Sequence, residues 1–214
     1  MIPVVLLVSI TCLHSFSGFA ASKAEKEKTK GNVVIFEDGW QDLNPAAGET
    51  KTGNFTAISL KGEPVQADNK KWTGRWGNWS VNDIDGSPKR GVVMVPGKQV
   101  NDDWLVSEII GLENCKKAEL LIEAYSKYGT DHANELKVLI SENYADDVET
   151  AQWDELYLES IHKQDQAVER TISLKKYMGK SIVIAFRSIH SGNSLKNLTR
   201  TCFLSKVKVT AVRK

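Results

Sequence analysis

The sequence predicts an all-β chain, an antiparallel β-sandwich of jelly-roll type. Three observations carry this. Stretch after stretch alternates apolar and polar residues with a period of two, as a strand with one buried face requires. Turn-forming residues punctuate these stretches at Glu37-Asp38-Gly39, Asp85-Gly86-Ser87-Pro88, Tyr128-Gly129-Thr130-Asp131 and Met178-Gly179. No regular amphipathic helix separates one stretch from the next, so the elements have to bury their apolar faces sheet against sheet. Residues 32–214 exceed the roughly 100 residues of an immunoglobulin-like sandwich and suit a jelly roll.

In chain order, residues 33–36, 55–60, 91–95 and 104–107 are short strand candidates. Residues 116–127 are ambiguous: Leu120, Leu121 and Ala124 fit a helix, while Ala118, Leu120, Ile122 and Ala124 alternate. Residues 151–161 pose the same choice, and the strand-rich surroundings favour strand for both. Leu136, Val138 and Ile140 alternate with Lys137, Leu139 and Ser141. Val168, Arg170, Ile172 and Leu174 do so with Glu169, Thr171 and Ser173. Residues 181–186 form a continuous β-branched, apolar run, which suits a central strand covered on both faces. At the end, Phe203, Ser205, Val207, Val209 and Ala211 are expected to share one face.

The amino-terminal segments stand apart. Residues 1–21 contain no charged side chain, and residues 3–10 are apolar but too short to span a bilayer. Gly18-Phe19-Ala20 supplies the small residues that a signal peptidase reads, so residues 1–20 are expected to be a signal peptide cleaved after Ala20. Lys or Arg is missing near the start. Residues 21–31 are rich in Lys and Glu, and read as a flexible leader that cannot bury enough apolar surface to order itself. Export to the cell surface or beyond is the expectation, with no transmembrane span in the mature chain.

Charge narrows the partners. With 28 Lys+Arg against 27 Asp+Glu the net charge is +1, and no basic face emerges, which disfavours nucleic acid. Hydrophobic residues at 41% and charged residues at 26% describe an ordinary globular core rather than a disordered chain. With Cys12 in the signal, Cys115 and Cys202 remain. They are either one disulfide or two buried thiols; the sequence leaves both open.

Sugar recognition needs a flat apolar group beside hydrogen-bonding groups. Trp72, Arg75, Trp76, Asn78 and Trp79 offer that pairing in one Gly-containing stretch and are the candidate ligand-binding residues, against the alternative that these indoles cap the core. Trp104 and Trp153 lie in strand patterns and read as core. Glu37, Asp83 and Asp85 are candidate ligands of a structural calcium, against solvated turn residues; an EF-hand loop is excluded, because setting Gly86 at its sixth position puts Val81 first and Val92 twelfth. Catalytic signatures are absent: His14, His132, His162 and His190 are isolated, with no zinc helix, nucleophile elbow or phosphate loop. No cofactor is expected. Asn54, Asn78 and Asn197 stand in glycosylation sequons that matter only in a eukaryotic secretory pathway.

Several motifs, taken in order, carry a family resemblance. They are Phe36-Glu37-Asp38-Gly39-Trp40, Lys71-Trp72-Thr73-Gly74-Arg75, Asn101-Asp102-Asp103-Trp104-Leu105-Val106-Ser107, and Glu135-Leu136-Lys137-Val138-Leu139-Ile140-Ser141 with Tyr144. Thr150-Ala151-Gln152-Trp153-Asp154-Glu155-Leu156, Ile172-Ser173-Leu174, Tyr177-Met178-Gly179-Lys180 and Ile184-Ala185-Phe186-Arg187 follow. Their order and spacing over residues 33–212 resemble the choice-of-anchor J jelly-roll modules, including domains of unknown function in secreted Bacteroidetes proteins. The resemblance implies a secreted or surface-attached sandwich that binds carbohydrate or adheres, without a catalytic centre. One departure stands out: Ser205 lies near the place of an Asp that ligates a cation in related jelly rolls. The expected function is therefore a non-catalytic module for a glycan or another cell-surface ligand. A structural or adhesive protein-interaction module is the first alternative, and a jelly-roll lyase or hydrolase the second.

Overall fold

Of the two segments that carry both periods, alternation prevails in the first, while the second is strand at Asp154–Leu156, with residues 157–161 outside the described residues. Residues Cys115–Lys127 form one strand, and Ala118, Leu120, Ile122 and Ala124, its alternate positions, are all buried. The computed structural model describes residues 31–38, 40, 50–62, 65–66, 72–73, 76–82, 88–94, 100–127, 136–156, 168–191 and 201–214. The expected signal peptide, residues 1–20, and the expected leader, residues 21–31, lie outside the described residues except for Gly31, which is exposed.

The strands are β1 (Asn32–Glu37), β2 (Lys51–Thr52), β3 (Phe55–Lys61), β4 (Val65–Gln66), β5 (Trp72–Thr73), β6 (Trp76–Asn82), β7 (Pro88–Met94) and β8 (Val100–Ser107). There follow β9 (Ile110–Gly111), β10 (Cys115–Lys127), β11 (Lys137–Ser141), β12 (Asp154–Leu156), β13 (Val168–Ser173), β14 (Ser181–Ser191) and β15 (Thr201–Arg213), with a 3-10 turn at Lys175–Tyr177. The first sheet runs β13-β10-β15-β7-β6, with β1 also paired to β15. The second runs β12-β11-β14-β8-β3-β2, with β9 on β14, and β4–β5 form a separate ribbon. The strand pairs of both sheets are antiparallel. From β7 onward the chain passes repeatedly from one sheet to the other, the wrapping of a jelly roll. Among the described residues no helix is long and apolar enough to cross a membrane.

One core fills the space between the sheets. Phe55, Leu105, Val138, Ile140, Ile184 and Phe186 from the second sheet meet Trp76, Val92, Leu120, Ile122, Val207 and Val209 from the first. Burying each large side chain contributes about 1.5–3 kcal/mol. Phe36 and Trp40 close one edge on Phe55, the Trp40 ring stacked 5.1 Å from it and its Nε1 donating to Ser205 O at 3.2 Å.

The last strand departs from the sequence expectation at one residue. Lys206 pairs with Glu123 but Leu204 pairs with Ala124, so Ser205 is an extra residue, a β-bulge. The bulge shifts the alternation: Cys202 and Leu204 join Val207, Val209 and Ala211 in the main inter-sheet cluster, while Phe203, itself buried, and Ser205 lie outside it. Beside it, Gly91 of β7 passes so close that a methyl group there would run into the Leu204 carbonyl.

The expected run at residues 181–186 is indeed covered on both faces. Val183 and Ala185 point away from the main core into a second cluster with Trp104, Val106, Leu139 and Val148. Ile58, Leu60, Tyr144 and Trp153 pack against that cluster.

The disulfide alternative is corrected by register. Cys115 pairs with Arg213, whereas Cys202 pairs with Ser126, eleven residues along β10. At about 3.3 Å per residue the two cysteines lie some 30 Å or more apart, and a disulfide requires Cα atoms within about 7 Å. Both are buried and not bridged to each other.

Candidate functional site

Of the aromatic residues singled out between 72 and 79, the structure describes the side chain of Trp76, and that one is core. Trp76 is 1% exposed and belongs to the main core, which corrects its assignment as a ligand-binding residue: β6 pairs with β7 and turns the Trp76 indole inward. Trp72 lies in β5, and Asn78 and Trp79 in β6, but only their backbones are described. Arg75, Asp83 and Asp85 lie outside the described residues. Glu37 is exposed and pairs with Lys208 at 3.2 Å. Among the described residues no three His, Cys, Asp or Glu come together as a cation would need.

A different constellation forms at the β11–β12 connection. β11 ends at Ser141, β12 returns antiparallel with Asp154 opposite Ile140, and residues 142–153 fold over the outer face of the second sheet. Internal bonds set this loop. Asn143 Oδ1 accepts from Gln152 N at 2.9 Å and from Ser141 Oγ at 3.0 Å, which ties its two ends together. Asp147 accepts from Glu149 N and Ala151 N. Asp146 takes φ +60°, a left-handed conformation that Asp tolerates better than most residues. Trp153 Nε1 donates to Val148 O at 2.9 Å, fixing the indole. Its ring stands 5.2 Å from Trp104 and 5.8 Å from Tyr144.

Beneath, Arg187 reinforces the aromatic floor. Its guanidinium lies 4.6 Å from the Trp104 ring centroid and grips Asp102 in two parallel bonds of 2.8 and 2.7 Å. The buried Trp104 Nε1 finds no acceptor among the described residues.

A cleft of about 620 Å³ opens beside the loop, lined by Ile140, Glu142, Asn143, Gln152, Trp153, Asp154 and Lys176. The 3-10 turn supplies its far wall. Tyr177 is buried and donates its hydroxyl to Asp154 Oδ2 at 3.0 Å, while Lys176 Nζ reaches the same oxygen at 2.6 Å. Lys176 and then Tyr177 hold the Asp154 carboxyl below its ordinary range. The Tyr177 phenol is pushed well above its ordinary value, by burial first and by Asp154 next. Gly179, at φ +84°, lets the chain turn back so that Lys180 Nζ meets both oxygens of Glu142 at 2.7 Å. The cleft thus combines a half-buried indole, two primary amides and two matched ion pairs. That set can stack a flat apolar face and bond hydroxyl groups.

Sequence reasoning placed Trp153 in the core and passed over Asn143 and Gln152. A signal existed: Asn143-Tyr144 and Gln152-Trp153, each an amide next to an aromatic, flank one loop.

The chain matches no protein-family profile and no curated protein. Among solved structures it is similar to a carbohydrate-binding module of the β-sandwich superfamily, with 10% identity over 80% of this chain and 62% of that one, at a TM-score of 0.47. The chain therefore spans less than two thirds of that structure. It is also similar to the xylan-binding domain of Paenibacillus barcinonensis Xyn10C, with 12% identity over 87% of this chain and 99% of that one, at a TM-score of 0.44. A third is the K1 cleaved adhesin domain of Lys-gingipain from Porphyromonas gingivalis, with 14% identity over 72% of this chain and 99% of that one, at a TM-score of 0.39. These are likenesses of fold: a two-sheet β-sandwich resembling carbohydrate-binding modules and an adhesin domain.

Proposed function

We propose that the chain is an exported, non-catalytic binding module of the choice-of-anchor J kind that holds a glycan in the cleft beside Trp153. One observation carries this reading: Trp153 lines the same cleft as Asn143 and Gln152. Pyranose rings present a C–H face that stacks on an indole and a rim of hydroxyls that amides bond. The loop that supplies these groups is braced by Asn143, Trp104 and the 3-10 turn, so little ordering is left for the ligand to impose, as a pre-formed site requires. Export rests on the amino-terminal pattern of residues 1–20, and places the module where surface polysaccharides are found.

Retention on immobilised or gel-embedded polysaccharides tests the reading. The protein is expected to be retarded by at least one glycan, and Trp153→Ala to abolish that retardation while the fold survives. New reducing ends or unsaturated products after incubation with the retained polysaccharide would defeat the non-catalytic assignment. Retention that Trp153→Ala leaves untouched would remove the cleft from consideration.

A further inference from the structure

Resting on the glycan reading, we infer that the cleft selects uncharged sugar chains and turns anionic ones away. The charges at the cleft are already matched. Lys176 Nζ sits 2.6 Å from Asp154, and Glu142 on the other wall takes Lys180 Nζ on both oxygens at 2.7 Å. Next to the cleft the pattern repeats on the sheet, with Lys137 on Glu155 at 2.7 Å and Arg187 on Asp102. The exposed lysine pairs among these add little stability. Their effect here is on selectivity: a uronate or sulfate reaching for Lys176 or Lys180 would have to displace a carboxylate and would then lie against it. Because Lys176 and Tyr177 keep Asp154 ionised into acid, that repulsion persists at mildly acidic pH.

The polar groups left for a ligand are neutral. Asn143 commits Oδ1 to Gln152 N and Ser141 Oγ, which leaves its Nδ2 hydrogens directed elsewhere. The Gln152 side-chain amide bonds to no described group and is exposed. Amides donate to and accept from hydroxyls without a charge to balance, and Trp153 supplies the apolar surface between them. A ligand that satisfies all three is rich in hydroxyls, flat on one face and uncharged.

A glycan array carrying neutral, uronate-containing and sulfated chains, read with the full chain, tests this. The wild-type protein is expected to retain neutral chains at least tenfold better than anionic ones. Asn143→Ala with Gln152→Ala should lower neutral retention about tenfold. Asp154→Asn uncouples Lys176 and should gain anionic chains at low ionic strength, losing them again in 0.5 M salt, where the screening length falls to a few ångströms. A thermal melt checks that each variant folds; if Asp154→Asn does not, Glu142→Gln, which uncouples Lys180, takes its place. Wild-type preference for anionic chains, or no anionic gain in the uncoupled variant, overturns the selectivity and leaves the glycan reading standing. Retention of no chain of any class overturns both.

Discussion

Tyr177 donates its hydroxyl to the same Asp154 oxygen that Lys176 grips, so a buried phenol from the 3-10 turn fixes a carboxylate on the cleft wall. Tyr177→Phe keeps the buried ring and deletes the bond. A hydrogen bond to a charged group contributes about 1.5 kcal/mol, so the melting temperature should fall by about 3–6 °C for a domain of this size. The sign for Asp154 follows. Its folded pKa lies below 3.8, so its contribution is present above that value and lost as pH falls through the folded pKa. Without Tyr177 the Asp154 carboxyl should titrate closer to its ordinary value in a carbon-detected NMR titration; an unmoved titration would show that the phenol has no hold on it.

Trp76 and Trp153 separate core from site. Trp76→Ala opens a cavity in the main core and is expected to cost about 3–5 kcal/mol, a large share of the 5–15 kcal/mol typical of a domain. Any fraction that remains folded should still retain glycan. Trp153→Ala should cost less, because its ring is half-buried, and should lose retention. Chemical denaturation beside affinity electrophoresis checks both, and the opposite pairing of effects would return the site to the β6 stretch.

The contrast between these two indoles marks what the sequence could convey. Strand positions were legible because alternation is local: Ala118, Leu120, Ile122 and Ala124 bury as the period-two pattern requires. Bulges are not local. Ser205 disturbs the phase of β15 because of how it meets Glu123 and Ala124 on another strand, and nothing in residues 203–207 announces it. The assignment of Trp76 to a binding site failed for the same reason. Density of Trp drew attention to residues 72–79, yet whether an indole faces water depends on what lies across the sandwich. At the cleft both readings meet: Trp153 does pack on the second cluster, as its strand pattern suggests, yet it ends a loop folded over the outer face of the second sheet, where one cleft takes it in together with Asn143 and Gln152.

Arg187 is expected to resist conservative exchange. Its fork holds Asp102, whose side chain is 11% exposed, while its plane covers Trp104. Arg187→Ala strands a nearly buried carboxylate and should destabilise by about 2–3 kcal/mol, somewhat below the range for fully buried pairs. Arg187→Lys keeps the charge but loses the second bond and the planar stack, at about 1 kcal/mol. Replacing both partners with Leu should cost less than Arg187→Ala alone. Urea denaturation of the four proteins decides it, and a double variant weaker than Arg187→Ala would refute the assignment of the cost to the stranded charge.

Cys115 and Cys202 should behave as two separate thiols. Alkylation of the denatured, unreduced protein followed by peptide mapping should label both, and a reductant should leave the melting temperature unchanged. Recovery of a peptide joining the two would contradict the β10–β15 register.

Asp38 supplies the pH dependence. It fastens the end of β1 to β15 twice: its amide donates to Val207 O at 2.8 Å, and its Oδ1 accepts from Val207 N at 2.8 Å. Burial raises its pKa above the ordinary 3.8, against the lowering effect of the Val207 bond. The folded state therefore holds the proton more tightly than the unfolded chain does. Stability should fall as pH climbs from 3.8 through the folded pKa, and the deficit should persist at neutral pH. Asparagine keeps an accepting oxygen for Val207 N and carries no charge. Asp38→Asn is thus expected to gain on the wild type as pH rises from 3 to 7. Denaturant melts of both proteins at the two pH values give the comparison. A variant that loses ground to the wild type as pH rises would mean that the ionised carboxylate stabilises the β1–β15 junction, with its bond to Val207 outweighing the cost of burial.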